Sequence, residues 1–437
     1  LAVTRVWRRP TAAGWAVVKG APETVAGPGA GDAAARADLA RTVEAMAASG
    51  LRVLAVAEAA VDADTLPATP AGFAFTLLGL VGLADPLRPG VREAIAAART
   101  AGVRLVMITG DHPTTARAVA REAGIAADTV LTGPELDAAD DARIAETTVF
   151  ARVRPDQKLR IVRALAARGD VVAMTGDGVN DAPSLKAAHI GIAMGRRGTD
   201  VAREAAAIVL LDDDFGAVVA ALRLGRRIWD NLEKAMAFVV AVHVPIAGLA
   251  LAPLAFGLPI LLGPIHIALL EMVIDPVCSL VFEAEPEEAD VGRRAPRDPA
   301  APLLSRGLVV WGLVQGLVTL AAVAAVALLA AARAMPEDEI RAVAFFALVF
   351  GLLGLIFVGR SFGIADFGLL RRRNTTLVVV LTTVVAVMTA LVGWPPAARL
   401  LRFGPLHGDD LAVASAAGLA AVVLLQAIKR PLRRALG

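Results

Sequence analysis

From about residue 235 onward the chain consists largely of apolar runs, at about 235–256, 258–282, 304–332, 341–359, 375–394 and 409–428. A hydrocarbon core of roughly 30 Å takes about 20 helical residues to cross, and each run is near that length or longer. Lipid offers a backbone no hydrogen bonds, so runs of this kind have the α-helix as their solution. Six transmembrane helices in an all-α membrane domain are therefore expected over 235–428, followed by a short tail at 429–437.

The overall apolar content of 57% hides a division, because acidic and turn-forming residues concentrate before about residue 235. There, short β-like runs alternate with helical ones. VTRVW and WAVV between Val3 and Val18, LRVLAVA from Leu51 to Ala57, and Phe73 to Leu83 read as strands. An Ala-rich helix runs from about Asp32 to Ser49, and together these make a small α/β or α+β unit over 1–83. Asp85-Pro86-Leu87-Arg88-Pro89 opens a second unit, 84–214. Its strands are Val103 to Thr109, Thr148 to Ala151, Val171 to Thr175, Ile190 to Met194 and Ala207 to Leu211, with helices between them. Such alternation implies a doubly wound parallel sheet. A helix from Phe215 to Phe238, polar and then apolar, leads out through 215–234.

Net charge is only +2, which gives no argument for nucleic acid as a partner. The single Cys278 excludes an intramolecular disulfide framework and a Cys-rich metal site. The chain starts without Met and without a signal peptide, inside what reads as a folded domain, so a fragment of a longer protein is expected.

Ligands of such sheets sit at the carboxyl ends of the strands. Three strand ends here carry polar sets: Thr109 to Asp111, Arg152 followed by Lys158, and Thr175 to Leu185, TGDGVNDAPSL. The last places Asp177 and Asp181 four residues apart around glycines and an Asn, where both can turn to one side of the strand tip and hold Mg²⁺. If the three sets share one crevice, Thr109 can hydrogen-bond a phosphoryl oxygen, Lys158 can neutralise it and the aspartates can hold the metal. The sets contain no nucleophile.

Most spans are free of charge at their centres. The exceptions are His243, two residues before Pro245, and Glu271 with Asp275, just before Pro276. Carboxylates in hydrocarbon are costly and normally mark an ion path. Glu271 and Asp275 share one helical face and can coordinate one cation, with carbonyls freed by Pro245 and Pro276 as further ligands. Glu283 and Glu285 fall at the span end and read as interfacial.

Arg and Lys give the orientation. Arg293, Arg294, Arg297, Arg306, Arg360, Arg371 to Arg373, Lys429, Arg430, Arg433 and Arg434 lie on one side, against Arg333, Arg341, Arg399 and Arg402 on the other, a bias of twelve to four. The α/β units and the C-terminus are expected in the cytoplasm, with the protein multi-pass in the plasma membrane.

These residues resemble the P-type cation-transporting ATPases. TGDGVNDAPSL is close to that family's hinge motif, TGD at Thr109 to Asp111 to its nucleotide-side loop, and FARVRPDQK from Phe150 to Lys158 to its conserved lysine segment. KGAPE from Lys19 to Glu23, LRVLAVA, DPLRP, and DDDF followed by GRRIWDNLEKAMAF also have counterparts there. The resemblance implies a haloacid-dehalogenase-like phosphorylation domain over 84–214 and part of a nucleotide-binding domain over 1–83. It further implies ATP contacts from Lys19, Arg52, Asp111 and Arg152. Thr109, Gly110, Lys158 and Asn180 would surround the phosphoryl group, Asp177 would hold Mg²⁺ with Asp181 beside it, and Glu271, Asp275 and His243 would meet the transported cation.

The family's phosphorylated Asp, in a DKTGT motif, does not occur in this sequence. It is expected upstream, with the actuator domain and four further membrane helices, so the pump's N-terminal part is the missing partner. Ca²⁺ is the first choice of cation, with Mn²⁺ or Mg²⁺ next, a monovalent ion or proton behind them, and at most one ion per cycle. A membrane-anchored phosphatase and a non-catalytic membrane remnant are the alternatives.

Overall fold

The computed structural model describes residues 2–9, 12–25, 33–61, 66–67, 69, 72–256, 259–360 and 374–436. It falls into two compact units, Leu1–Ala220 with Gly292–Pro296, and Ala221–Val291 with Arg297–Gly437.

The first unit opens with an antiparallel sheet of β1 (Ala2–Arg9), β2 (Ala12–Gly20), β3 (Arg52–Val61) and β4 (Thr76–Leu83), in that order. In β3, Val53, Ala55, Ala57, Ala59 and Val61 are buried and the residues between them are not. That is the period of a strand with one covered face. Ala55 and Ala57 pack with Val18 and with Val25 of α1 (Pro22–Val25). α1 thereby carries Glu23, while Arg52 stands at the first position of β3. The Ala-rich helix is α2 (Ala33–Ala48).

The chain continues through α3 (Val91–Thr100), β5 (Met107–Ile108), α4 (Pro113–Ala123), β6 (Val130–Thr132), α5 (Gly133–Ala138) and α6 (Asp141–Glu146). Then come β7 (Val149–Ala151), α7 (Pro155–Ala167), β8 (Ala173–Gly176), α8 (Ala182–Ala187), β9 (Ile190–Met194), α9 (Asp200–Ala205) and β10 (Ile208–Leu210). All ladders here are parallel, as expected, but among the described residues they form two three-stranded sheets, β5-β7-β6 and β10-β9-β8, in place of one. Of the expected strand Val103 to Thr109 only two residues pair, while Val103 and Leu105 pack against Ala94, Ala98 and Val219. Both sheets nevertheless contribute to one core, with Phe150 and Leu131 from the first and Met174 and Ala193 from the second. β6 adds a strand beyond those expected, because its three residues are too few to show a period.

The second unit is helical. α10 (Gly216–Phe256) merges the expected stalk and first span into one helix. α13 (Arg306–Ala332), α14 (Glu337–Gly359), α15 (Thr375–Gly393) and α17 (Gly408–Leu436) follow, with a short α16 (Pro395–Leu400). Among the described residues five helices, not six, are long and apolar enough to cross a membrane. The expected second span, 258–282, is instead α11 (Pro264–Leu269), a π-helical turn (Leu270–Ile274) and α12 (Asp275–Glu283). Pro276 has no N–H to continue an α-helical ladder, and a widened turn is one way a helix absorbs that loss.

Packing in this unit follows small residues. Gly312 and Gly316 of α13 face α10 so closely that a Cβ would come 2.8 Å from Val240 and 2.5 Å from Val244. Close helix approach through glycines four apart is a membrane-helix device. α14 is apolar almost all round and lies in the middle of the core, as such helices do.

One end of the unit holds a buried polar network. Glu285, expected to be interfacial, is fully buried: its Oε1 accepts from Arg360 Nε at 2.5 Å and from Asn374 Nδ2 at 2.8 Å. Arg360, counted above as a cytoplasmic charge, is thus an internal ion-pair partner. The charge is paired through Oε1, whereas the buried Oε2 has no hydrogen-bond partner among the described residues. α10 is held to the same segment by Arg227 and Asn231, which donate to the Glu285 carbonyl at 2.9 and 2.8 Å, and by Lys234, whose Nζ lies 2.7 Å from Glu288. Arg371 to Arg373 lie outside the described residues.

Candidate functional site

The residues expected to handle phosphate and nucleotide fall into two groups in the first unit. The first group gathers where β5 and β7 end. Thr109 Oγ1 donates to Asp111 Oδ2 at 3.1 Å and accepts from the Asp111 amide at 3.2 Å. Asp111 Oδ1 faces Arg52 Nε at 3.4 Å. Arg152 sits in the left-handed region, φ 55°, and this tight turn lets its amide donate to the Asp111 carbonyl at 3.1 Å while Val153 donates to Thr109 at 3.1 Å. Its guanidinium pairs with Glu23 at 2.5 Å and reaches the Gly110 carbonyl at 3.4 Å. Four segments far apart in sequence thus meet, those of Glu23, Arg52, Thr109 to Asp111, and Arg152. Glu23 is a member of this group that the motif KGAPE contains without marking, and its only signal is its position as an acid three residues after a strand end. Lys19 is exposed near the end of β2.

The second group is the TGDGVNDAPSL loop with α7. Pro155 starts α7 at its first position, where a missing N–H costs nothing. Gln157 reaches back to the Arg154 amide at 2.9 Å, and this cap sets the helix that carries Lys158. Lys158 Nζ lies 2.7 Å from Asp181 Oδ1. Asp181 Oδ2 accepts from the amides of Asp177 and Gly178 at 3.3 and 3.1 Å. Gly176 makes room, since a Cβ there would come 2.6 Å from the Asp181 Cβ. Asp181 is buried, whereas Asp177 and Asn180 are exposed. Among the described residues Thr109 and Gly110 make no hydrogen bond to Lys158 or Asp181, so the structure brings together two sets more clearly than three.

For a divalent metal the two aspartates differ. Both Asp181 oxygens are engaged by donors, and Asp177 has its carboxylate open at the strand tip. The loop therefore fits Mg²⁺ at Asp177, with Asp181 holding the loop and the lysine. Among the described residues no group of three or more His, Cys, Asp or Glu side chains is gathered to hold a metal.

In the second unit, His243 of α10 and Glu271 of the π-helical turn come together, with Nε2 3.6 Å from Oε1. The His243 Nδ1 lies 2.8 Å from the Val239 carbonyl. Asp275 is the first residue of α12, and its side chain lies outside the described residues.

Two family models match the chain. Residues 7–189 match the haloacid dehalogenase-like hydrolases, and residues 259–430 match the C-terminus of cation transporting ATPases. A calcium-transporting ATPase of Listeria monocytogenes is 34% identical over 410 residues, 90% of this chain and 45% of its own length. The chain belongs to the P-type cation-transporting ATPases. Among members of that family, calcium-transporting ATPase 1 of Bacillus cereus is 38% identical over 388 residues, 82% of this chain and 42% of its own. Probable cation-transporting ATPase F of Mycobacterium tuberculosis is 43% identical over 291 residues, 63% of this chain and 32% of its own. The chain thus spans less than half the length of these ATPases. P-type ATPases as a family work with ATP and Mg²⁺ and are multi-pass membrane proteins, in keeping with the apolar helices seen here.

Proposed function

We propose that this chain is the C-terminal portion of an ATP-driven cation pump that couples hydrolysis, through an aspartyl-phosphate, to cation movement across the plasma membrane. An acyl-phosphate intermediate divides a difficult hydrolysis into two easier steps. The observation that carries the reading is the pairing of Lys158 with Asp181 across 2.7 Å, inside a loop whose neighbouring Asp177 is left open.

In this reading Lys158 neutralises charge on the transferred phosphoryl group, and Thr109 and the Gly110 backbone stand beside it. Asp177 would hold Mg²⁺, which supplies further charge neutralisation at the phosphate. Asp181 keeps Lys158 and the loop amides in place, and Asn180 lies at the mouth. Arg52, Asp111, Arg152 and Lys19 bind ATP. The aspartate that accepts phosphate comes from outside this sequence.

Movement of the catalytic domains reaches the membrane through α10. Its polar stretch from Arg226 to Lys234 is hydrogen-bonded to the segment that follows α12, so a shift of α10 acts on the span that bears Glu271 and Asp275. On their oxygen donors alone those residues suit Ca²⁺ first, and relatives named as calcium-transporting ATPases support the same choice. The Arg and Lys bias puts the α/β domains and the C-terminus in the cytoplasm, with the cation exported. Replacing Asp181 with Asn in the complete protein is expected to abolish ATP-dependent transport in sealed vesicles, and unchanged transport would defeat the reading.

A further inference from the structure

We propose that His266 is a proton-operated latch, whose neutral ring ties the start of the broken span to the segment Leu401–Phe403 and whose protonation releases that tie.

The latch joins segments that are far apart in the chain. His266 is the third residue of α11, and Leu401 to Phe403 follow α16. Its ring is only 3% exposed, stacked on Phe403 with centroids 5.2 Å apart and 5.8 Å from Phe345 of α14. Arg341 of α14 crosses the same gap, donating to the carbonyl of Ile260 at 3.1 Å and to that of Arg402 at 2.9 Å.

Two bonds fix where the ring carries its proton. The Gly263 amide donates to Nδ1 at 2.9 Å, and an N–H can only donate, so Nδ1 is bare. Nε2 lies 2.7 Å from the Leu401 carbonyl, which can only accept, so Nε2 carries the proton. Both nitrogens are thus in use, in opposite senses. A second proton has Nδ1 as its only place, where it meets the Gly263 N–H donor to donor. Buried donors without an acceptor are costly, and the conflict is relieved when the ring or the Gly263 turn moves away.

Among the described residues, the charged neighbours offer an imidazolium no hydrogen-bonded acid. Arg341 is the cation whose charge acts on the ring, and Arg402 lies in the segment that faces it. On the same side Asp338 and Glu339 of α14 border Gly404, and Asp410 accepts from the His407 amide. Ile260 to Gly263 and the rest of α11 carry no ionisable side chain. Once released, the ring is an ordinary imidazole with a pKa of about 6.5. Below that pH the open form binds a proton and the closed form does not, so acid favours opening by up to about tenfold per pH unit. α11 runs directly into the π-helical turn that bears Glu271, so the freed end belongs to that span.

The test follows exchange of the Gly263 amide hydrogen in the full-length protein that carries this chain, held in nanodiscs, with the rate corrected for its intrinsic dependence on pH. Between about pH 7.5 and about pH 5.5 the corrected rate is expected to rise about tenfold, while peptides from α14 stay unchanged. His266→Gln keeps a donor and an acceptor but cannot take a proton, and is expected to show no such rise. His266→Phe fills the space beside Phe345 and Phe403 without either bond and is expected to exchange fast at both pH values. It also covers the case in which His266→Gln fails to fold. An unchanged rate in the parent, an equal rise in His266→Gln, or slow exchange at Gly263 in His266→Phe would overturn the inference. None of these measurements uses ATP or a transported cation, so failure of the latch is separate from failure of the pump reading.

Discussion

The strand-end loop of the first unit and the broken span of the second each carry two acids four residues apart, and they treat those acids in opposite ways. Asp181 is closed: one oxygen is paired with Lys158 and the other accepts two amides. Glu271 is open, with the His243 ring as its neighbour at 3.6 Å. In the loop the bonds to the acid create the order, and without them a Gly-rich turn would not hold one shape. In the span the helices create the order, and the acid is left half-exposed. The helical unit also shows what a closed acid looks like in that setting, since Glu285 is fully buried against Arg360 and Asn374. Burial alone therefore does not mark a transport ligand, and the acid proposed for that role, Glu271, is the half-exposed one.

The sharpest way to break this contrast is to compare Arg360→Met with Glu271→Gln. The first strands a buried carboxylate and is expected to cost about 3–5 kcal/mol, read as a lowered unfolding temperature in detergent. The second is expected to stay within about 1 kcal/mol of the parent. Equal losses would show that Glu271 is as structural as Glu285. Within the loop the same comparison runs between neighbours. Asp181→Ala leaves Lys158 and two amides without their acceptor and is expected to destabilise by about 1–3 kcal/mol. Asp177→Ala is expected to change stability by no more than about 0.5 kcal/mol. Chemical denaturation reads both, and a large loss from Asp177→Ala would remove the distinction between closed and open acids.

The smallest expected effect concerns pH. Hydrogen bonds from Gln157, and then from Arg154, hold the Asp137 carboxyl below its ordinary range, and Thr132 does the same for Glu135. A depressed carboxyl contributes stability at pH values above its unfolded pKa, and the contribution is lost as pH falls through the folded value. Stability of the first unit is therefore expected to fall on acidification below the ordinary carboxylate range, less steeply in Asp137→Asn. An identical slope in parent and variant, measured by thermal unfolding against pH, would show that these bonds are not linked to folding.

Much of the candidate site is legible in the sequence. Thr109, Lys158, Asp177 and Asp181 stand out because loops at strand ends need particular residues at particular spacings. The helices α4 and α7 announce themselves through proline at their starts. Less visible are the contacts that cross the chain. Glu23, on α1, pairs with Arg152, in the turn after β7, and no local pattern encodes such a pairing. Glu285 reads as interfacial because its position along the chain is at the end of a span. Its burial depends on Arg360, 75 residues away.

The sequence by itself determined the helical character of the second half, the parallel strand–helix alternation before it, and the chemistry available at each strand end. These follow from local rules: the length of apolar runs, hydrophobic period and turn composition. Only the tertiary structure decided that the parallel strands form two three-stranded sheets, that the span bearing Glu271 is broken by a π-helical turn, and that Asp181 is closed while Asp177 and Glu271 remain open. Those outcomes turn on which side chains from distant segments arrive within about 3 Å of one another, the range over which a hydrogen bond can form.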